Sequence, residues 1–280
     1  MNSYRQQIKK YLEQTASDQL RLLQQLVEQN SYTLNKEGVD AVGLQVIAAL
    51  ALCGLTLERH KVGDRGDHLV FTSMGAAETK GKEIRQKPIL LMGHMDTVFP
   101  PDSPFQNYRE DQHKVYGPGV IDMKGGLVCV VYMLKALHHV GLLDKIPVVF
   151  LCNADEEMGS TTSCDLIEHQ AGRSRLAMVF ECGGLKGQVV TGRKGKTGFE
   201  LVVHGRAGHA AFAGEDKASA ILELAHKTIA LEKLNNPCRQ LVVNVGEVSG
   251  GVGENTVAER AVAKIDTRFL SLEDCRNTTK

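Results

Sequence analysis

Four short motifs place a histidine or acidic side chains where a metal ion or a proton transfer could use them. They hold His94 and Asp96, Asp122, the acidic run at 155–157, and Glu181. Imidazole nitrogen and carboxylate oxygen bind zinc and related divalent ions, and a carboxylate beside a metal can act as a general base. These residue types therefore indicate hydrolytic metal chemistry.

Each motif taken alone also has a structural explanation. His94 could be a hydrogen-bonded loop histidine, Asp122 could cap the helix predicted after it, and the acidic run could be a solvated loop. Cys182 lies beside Glu181, but the other candidate ligands are carboxylates and an imidazole, so we interpret it as a spectator thiol. The order of the motifs favours chemistry, because His, Asp, Glu-Glu and Glu each follow a predicted strand. That order predicts a carboxylate-rich site for two metal ions at one edge of a sheet.

The predicted elements around these motifs alternate between strand and helix. Buried strands are expected at 88–92, 146–152 and 177–180, and helices at 4–28, 37–53, 127–139 and 161–170. This alternation predicts an α/β domain with a largely parallel central sheet, covered on both faces. The polar residues 74–87 indicate an exposed loop or hairpin.

The pattern changes near residue 190. Strands are predicted at 199–204, 241–248 and 257–269, with a helix at 215–234. This order of elements favours a smaller α+β domain. We therefore predict a catalytic domain at 1–190 and a second domain at 191–280.

Composition excludes several classes of protein. Thirty-three basic and thirty-three acidic residues give a formal net charge of zero, which argues against a nucleic-acid partner or a membrane-binding patch. Hydrophobic residues make up 42% of the chain, enough for a globular protein with a sizeable core. The seven cysteines form no CxxC pair and mostly lie in apolar runs, so we expect buried free thiols and a cytoplasmic location.

Taken together and in order, the motifs resemble those of the M20 family of metallopeptidases and amidohydrolases, in particular its glutamate-carboxypeptidase-like branch. In the first domain they are GHMDTVFP (93–100), GPGVIDMKGG (117–126), DEEMGS (155–160) and FECGG (180–184). In the second they are GRAGHAA (205–211), GGVGENTV (250–257) and IDTRF (265–269). The resemblance implies a catalytic domain similar to that of zinc exopeptidases and a lid domain that mediates dimerisation.

Carried over position by position, the resemblance implies a site for two zinc ions, with Co²⁺ or Mn²⁺ as alternatives. His94 and Glu181 would bind one ion and Glu157 the other. Asp122 would bridge the two ions.

The resemblance also implies catalytic and substrate-binding roles. Glu156 would be the general base that takes a proton from the attacking water, and Asp96 would support the histidine ligand. In the lid, His209 would stabilise the oxyanion, while Asn255 and Arg268 would hold carbonyl and carboxylate groups of the substrate. Judged from the residues alone, His209 is an ordinary exposed histidine and Arg268 a charge on a strand surface.

Members of this family usually continue well beyond the point that corresponds to Lys280, and that further segment supplies the last histidine ligand. None of His113, His204 and His226 matches its position. We therefore expect either a fragment of a longer enzyme or a naturally short form with impaired binding of the second metal.

The leading hypothesis is a zinc-dependent hydrolase of amide bonds, acting as a carboxypeptidase that releases a C-terminal residue such as glutamate. One alternative is an N-acyl-amino-acid deacylase, because the same site cleaves acyl amides. The other is a catalytically silent protein that dimerises or binds a ligand. The expected partners are a small peptide or N-acyl amino acid and a second copy of the chain, bound through the lid.

Overall fold

A computed structural model of the chain describes residues 2–76, 86–184 and 186–278. The chain divides into two units, residues 1–184 and 185–280, each with its own hydrophobic core. Of the predicted loop or hairpin at 74–87, residues 74–76 form a short helical turn, whereas 77–85 lie outside the described residues.

A five-stranded sheet forms the centre of the first unit. The strands of this unit are β1 (Thr56–His60), β2 (His68–Thr72), β3 (Ile89–His94), β4 (Arg109–Glu110), β5 (Val115–Tyr116), β6 (Val148–Asn153) and β7 (Leu176–Val179). The central sheet has the order β1-β2-β6-β3-β7, while β4 and β5 form a separate hairpin. Strands β3, β6 and β7 are parallel, and β1 and β2 extend the sheet in antiparallel fashion. The residues that follow the three parallel strands therefore meet at one edge of the sheet.

Helices cover both faces of this sheet. They are α1 (Asn2–Gln14), α2 (Ala16–Glu28), α3 (Lys36–Leu50), α4 (Gly125–His139) and α5 (Cys164–Arg173). One face belongs to the core built with α2, α3 and α4, and it contributes Phe71, Leu91 and Phe150. The opposite face packs against Leu166 and Ile167 of α5. Helices on both faces of parallel strands confirm the predicted α/β class.

Two predictions about the strands that precede the motifs are wrong. The strand predicted as buried at 177–180 is β7, and all four of its residues are exposed. Within the described part of the chain, β7 pairs with β3 alone and forms an edge of the sheet. An apolar run in the sequence does not show whether other elements cover the strand. Asp122 follows the short strand β5 rather than a strand of the central sheet, in an irregular turn that leads into α4.

A cluster of charged side chains joins α3 to β1 and to the start of β2. The carboxylate of Asp67 lies 2.8 Å from Lys36 Nζ and 2.7 Å from Arg59 Nε, and both bases also contact Asp40. Burial alone raises the pKa of Asp67. Hydrogen bonds from Lys36, the Val62 amide and Arg59 outweigh that effect and lower the pKa to about 2.

Replacing Asp67 with asparagine is expected to lower the free energy of unfolding by about 2 kcal/mol at neutral pH. The folded-state pKa lies below the usual 3.8, so the contribution is present above pH 3.8 and is lost as the pH falls towards 2. Urea unfolding of both proteins from about pH 7 to about pH 3 measures the difference. Asp64, whose side chain is 76% exposed, provides the matched Asp64→Asn control. Identical pH dependence in Asp67→Asn and the unmodified chain would contradict this account.

A three-stranded antiparallel sheet with a covering helix forms the second unit. Its elements are β8 (Gly195–His204), β9 (Gly208–His209), α6 (Ala220–Glu232), β10 (Val242–Gly250), β11 (Thr256–Val257), β12 (Arg260–Phe269) and α7 (Leu272–Thr278). The sheet order is β10-β12-β8, and β9 pairs with β11. Leu224 of α6 packs in one cluster with Val203, Val243 and Ile265 from the three strands. The strand–helix–strand–strand order is the one that the sequence predicts.

Cysteine burial departs from the prediction. Cys53 and Cys152 are buried, but four others are exposed: Cys129, Cys164, Cys182 and Cys238. Cys129 belongs to the apolar run of α4, yet a helix turns only part of such a run towards the core. Separately, no helix in the described part of the chain is long and apolar enough to cross a membrane.

Candidate active site

His94 ends strand β3 with its side chain almost completely buried. Its ring Nδ1 donates a hydrogen bond to the backbone carbonyl oxygen of Asp96 at 2.9 Å, which fixes the ring and leaves Nε2 available to other partners. The Nε2 atom lies 3.0 Å from Asp122 Oδ1 and 3.1 Å from Glu181 Oε1. His94 therefore lies where three of the motifs meet and is not an isolated loop histidine.

The ligand atoms of His94, Asp122 and Glu181 lie within 4.8 Å of one another, and we call these residues the three-ligand group. Burial lowers the pKa of His94, but hydrogen bonds to Asp96 and Glu181 and their charges outweigh burial and raise it to about 11. A site that stabilises a positive charge in this way suits a divalent cation. One imidazole nitrogen with two carboxylate oxygens is a donor set that zinc accepts.

An irregular turn presents Asp122 to this group. Gly119 has a φ of 72°, which a residue with a side chain rarely adopts, and the peptide bond between Asp122 and Met123 is cis. Lys124, not Asp122, occupies the cap position of α4, so the structural alternative for Asp122 is excluded. Lys124 is buried and donates from Nζ to the carbonyl oxygen of Gln29 at 2.9 Å, and burial lowers its pKa to about 7.

The start of α4 approaches the chain that follows β7 so closely that only glycine fits at position 126. A Cβ atom at Gly126 would overlap the carbonyl oxygen of Phe180, the residue before Glu181. The glycine pair after Asp122 therefore has a packing role. It allows the segment with one ligand to approach the segment with another.

Replacing Gly126 with alanine is expected to lower the free energy of unfolding by about 1–3 kcal/mol, because the backbone must shift to admit the methyl group. Gly172 in α5 provides the control, since nothing lies within 4 Å of the corresponding methyl position. Gly172→Ala is expected to be neutral or stabilising by up to about 1 kcal/mol. Chemical denaturation of the metal-free proteins measures both changes. Equal stability of the two variants would show that the close approach at Gly126 does not exist.

Asp96 links the histidine to the acidic turn after β6. Its carboxylate is fully buried, with Oδ1 3.3 Å from His94 Nδ1. The backbone N–H groups of Glu156 and Glu157 each donate to it at 3.2 Å. The hydroxyl of Thr33 also donates to Asp96, at 2.7 Å. Thr33 is not predictable as a site residue from the sequence, because a single threonine between two helices forms no motif.

The two glutamates after β6 differ in their relation to the three-ligand group. Glu156 places Oε2 3.9 Å from His94 Nε2. Burial raises the pKa of Glu156, His94 opposes the rise, and the surrounding carboxylates add to it. For Glu157, burial and the charge of Asp122 raise the pKa to about 7. Glu157 lies outside the three-ligand group but is electrostatically coupled to Asp122, the residue predicted to bridge two ions.

Asp155, the first acid of the run, has a structural role. Its buried carboxylate accepts hydrogen bonds from the amide and hydroxyl groups of both Thr162 and Ser163, at 2.6–3.2 Å. Burial raises its pKa, but the hydrogen bonds from Ser163 and Thr162 lower it overall. The negative charge that a bound cation would offset is therefore that of Glu156 and Glu157, together with the carboxylates of the three-ligand group.

In the second unit, the structure brings His209 and Asn255 onto paired segments. His209 faces Thr256 across β9 and β11, and the carbonyl oxygen of Asn255 accepts a hydrogen bond from the residue after His209 at 2.9 Å. Both side chains are exposed. Arg268 lies roughly 25 Å along β12 from the end of that strand nearest β11, and it contacts Asp266 Oδ2 at 2.8 Å. The three predicted lid residues therefore do not form one cluster.

Comparison with known proteins identifies the class to which this fold and site belong. Residues 90–267 match the family described as peptidase family M20/M25/M40, and the chain belongs to that family. The match includes all four motifs of the first unit and every predicted site residue except Arg268.

Two relatives of this chain carry different names. Carboxypeptidase G2 of Pseudomonas sp. (strain RS-16) is 30% identical over 272 residues, which cover 93% of this chain and 63% of that protein. Acetylornithine deacetylase of Myxococcus xanthus is 31% identical over 225 residues, which cover 75% of this chain and 56% of that protein. The chain thus spans less than two thirds of the length of either relative.

Solved structures share the fold. Aminopeptidase PepT from Bacillus cereus ATCC 10987 matches with a TM-score of 0.73 at 20% identity, covering 93% of this chain and 69% of that one. An M20 family metallo-carboxypeptidase from Sulfolobus solfataricus matches with a TM-score of 0.63 at 19% identity, covering 93% and 74%. At these identities the likeness concerns the fold alone.

Proposed function

We propose that the chain is a metal-dependent amide-bond hydrolase that acts as a carboxypeptidase on small peptide substrates. The observation that carries the proposal is the three-ligand group of His94, Asp122 and Glu181, with the carboxylate of Glu156 3.9 Å from His94 Nε2. Membership of the family and 30% identity to a carboxypeptidase support the reaction class.

Zinc is the proposed metal. The three-ligand group would hold one ion, and Asp122 and Glu157 would supply some of the ligands of a second ion. Cobalt or manganese would fit the same nitrogen and oxygen donors. Burial and then the negative charge of Asp122 raise the pKa of Glu157 to about 7, and a second cation would offset that charge.

The side chains of the first unit would divide the chemistry between them. When bound, zinc polarises a carbonyl group and acidifies water. Glu156 takes a proton from the attacking water while the oxygen of that water bonds to the carbonyl carbon. The same glutamate returns that proton to the leaving nitrogen as the C–N bond breaks. Asp96 keeps His94 in place through the contact at Nδ1.

The second unit would contribute to substrate binding. We assign to His209 the stabilisation of the oxyanion, and to Asn255 and Arg268 contacts with carbonyl and carboxylate groups of the substrate. Homodimerisation through this unit is also a proposal, supported by the exposed apolar side chains of Ile221 and Ile229 on α6. A cytoplasmic location stays a prediction from the sequence.

A second candidate function is N-acyl-amino-acid deacylation. It is favoured by the 31% identity to an acetylornithine deacetylase, and the proposed chemistry would be the same for an acyl amide. The two candidates differ in the acyl side of the bond, which is a peptide in one case and a simple acyl group in the other.

Hydrolysis assays of the zinc-loaded 280-residue chain test the proposal. The panel contains dipeptides that end in glutamate, N-acetyl amino acids including acetylornithine, and the same compounds after removal of zinc. We expect zinc-dependent release of the C-terminal residue from the dipeptides. Faster cleavage of the N-acetyl compounds would favour the deacylase. No turnover of any compound by a zinc-loaded chain would overturn both functions for the 280-residue chain.

A further inference from the structure

We propose that Thr33 is a positioning residue of this site: its hydroxyl fixes the Asp96 carboxylate, and Asp96 in turn fixes both His94 and the turn that carries Glu156 and Glu157. The inference rests on the proposed function and extends it to a residue outside every motif.

The geometry around Asp96 places Thr33 among its direct partners. Thr33 is fully buried, and its Oγ1 atom donates to Asp96 Oδ2 at 2.7 Å, a short bond of the kind formed between a hydroxyl and a carboxylate. The same oxygen accepts the N–H of Glu157, whereas Oδ1 accepts the N–H of Glu156 and contacts His94. Thr33 is the one side-chain hydroxyl that donates to this carboxylate in the described part of the chain.

Backbone contacts hold Thr33 in register with the Asp96 segment. The Thr33 N–H donates to the carbonyl oxygen of Thr97 at 3.1 Å, and the Thr97 N–H donates to that of Ser31 at 2.8 Å. These two bonds form a parallel bridge between Tyr32 and Thr97, which sets the register of the adjacent Thr33 against the segment that contains Asp96. Because the register is set by the backbone, a valine at position 33 would keep the shape and lose only the hydroxyl.

The segment that contains Thr33 also contacts the turn that carries Asp122. Gln29, directly after α2, accepts the hydrogen bond of buried Lys124, two residues after Asp122. Residues 29–33 thus contact the segments that present His94 and Asp122. A buried carboxylate that loses one donor reorients or recruits another, so removing the hydroxyl disturbs both sides of Asp96.

Thr33→Val and Thr33→Ser form the test pair, because serine keeps the hydroxyl that valine lacks. We expect Thr33→Val to weaken zinc binding by about 10- to 100-fold, the range for partners that orient a metal ligand, and Thr33→Ser to restore most of it. Competition with a chromophoric chelator measures the affinity, and the visible spectrum of the cobalt-loaded protein reports the ligand geometry. Equal losses in both variants, or none in valine, would overturn the proposal.

A double-mutant comparison tests whether Thr33 acts through Asp96. In an Asp96→Asn background, Thr33→Val is expected to add little further loss of zinc affinity. Losses that multiply would show that Thr33 has a general structural effect instead.

Hydrogen exchange separates this inference from the proposed function. The amides of Glu156 and Glu157 both donate to Asp96, so in metal-free protein they are expected to exchange faster in Thr33→Val than in Thr33→Ser. This readout needs neither metal nor turnover. Unchanged exchange in valine overturns the role of Thr33, whereas a wild-type chain that binds no zinc overturns the proposed function alone.

Discussion

Replacing Glu156 with glutamine is expected to lower kcat for amide hydrolysis by about 10²- to 10⁴-fold while zinc content stays unchanged. Glutamine keeps the shape of the side chain but cannot accept the proton that the attacking water must lose. Glu156 lies outside the three-ligand group, yet its carboxylate reaches within 3.9 Å of His94 Nε2. Steady-state kinetics with a C-terminal glutamate dipeptide, together with elemental analysis of the same samples, measures both quantities.

The matched control is Glu168→Gln, the same substitution at an exposed position on α5. It is expected to leave kcat and zinc content as they are. If Glu156→Gln retains full activity, Glu156 is not the general base. If it loses zinc in parallel with activity, Glu156 is a ligand instead.

Replacing His94 with alanine is expected to weaken zinc binding by more than about 100-fold, because a direct ligand should cost more than a residue that only orients one. His94 supplies the nitrogen of the three-ligand group, and the two remaining carboxylates differ in exposure, with Asp122 57% and Glu181 23% exposed. Isothermal titration of metal-free protein with zinc measures the change.

His226, exposed on α6 of the second unit, provides the histidine control for this experiment. His226→Ala is expected to bind zinc as the unmodified chain does. Equal affinity of His94→Ala and His226→Ala would place the zinc elsewhere in the chain.

Regular local patterns made part of this architecture predictable from the sequence. Strand β6 is a continuous apolar run and ends at an acidic turn, so it could be recognised as a buried strand with candidate ligands after it. The same reasoning applies to His94 at the end of β3. Parallel neighbours bring such residues to one edge, and the sheet order confirms that they meet.

Contacts that depend on tertiary packing were not predictable. The bond between Thr33 and Asp96 joins residues 63 positions apart, and nothing in the local sequence of Thr33 indicates it. Asp122 follows a two-residue strand and an irregular turn, which have no periodic signal. The apolar residues of β7 suggest a buried strand, but the exposure of β7 depends on the elements that pack against it.

The lid motifs illustrate a further limit. The motifs GHAA and GEN follow one another in the order of the lid motifs, and they are also neighbours in the fold because they lie on paired segments. Arg268 belongs to a motif that is close in sequence, yet it lies near the far end of a ten-residue strand. Motif order specifies which residues a family uses, whereas distances within a sheet follow from strand length and register.

Anomalous diffraction at the zinc absorption edge, from crystals of the zinc-loaded 280-residue chain, shows whether His94, Asp122 and Glu181 bind the metal. We expect an anomalous peak bounded by His94 Nε2, Asp122 and Glu181, with any second peak beside Asp122 and Glu157. A well-ordered map with zinc bound only at other residues, or with no zinc at these carboxylates, would contradict that expectation.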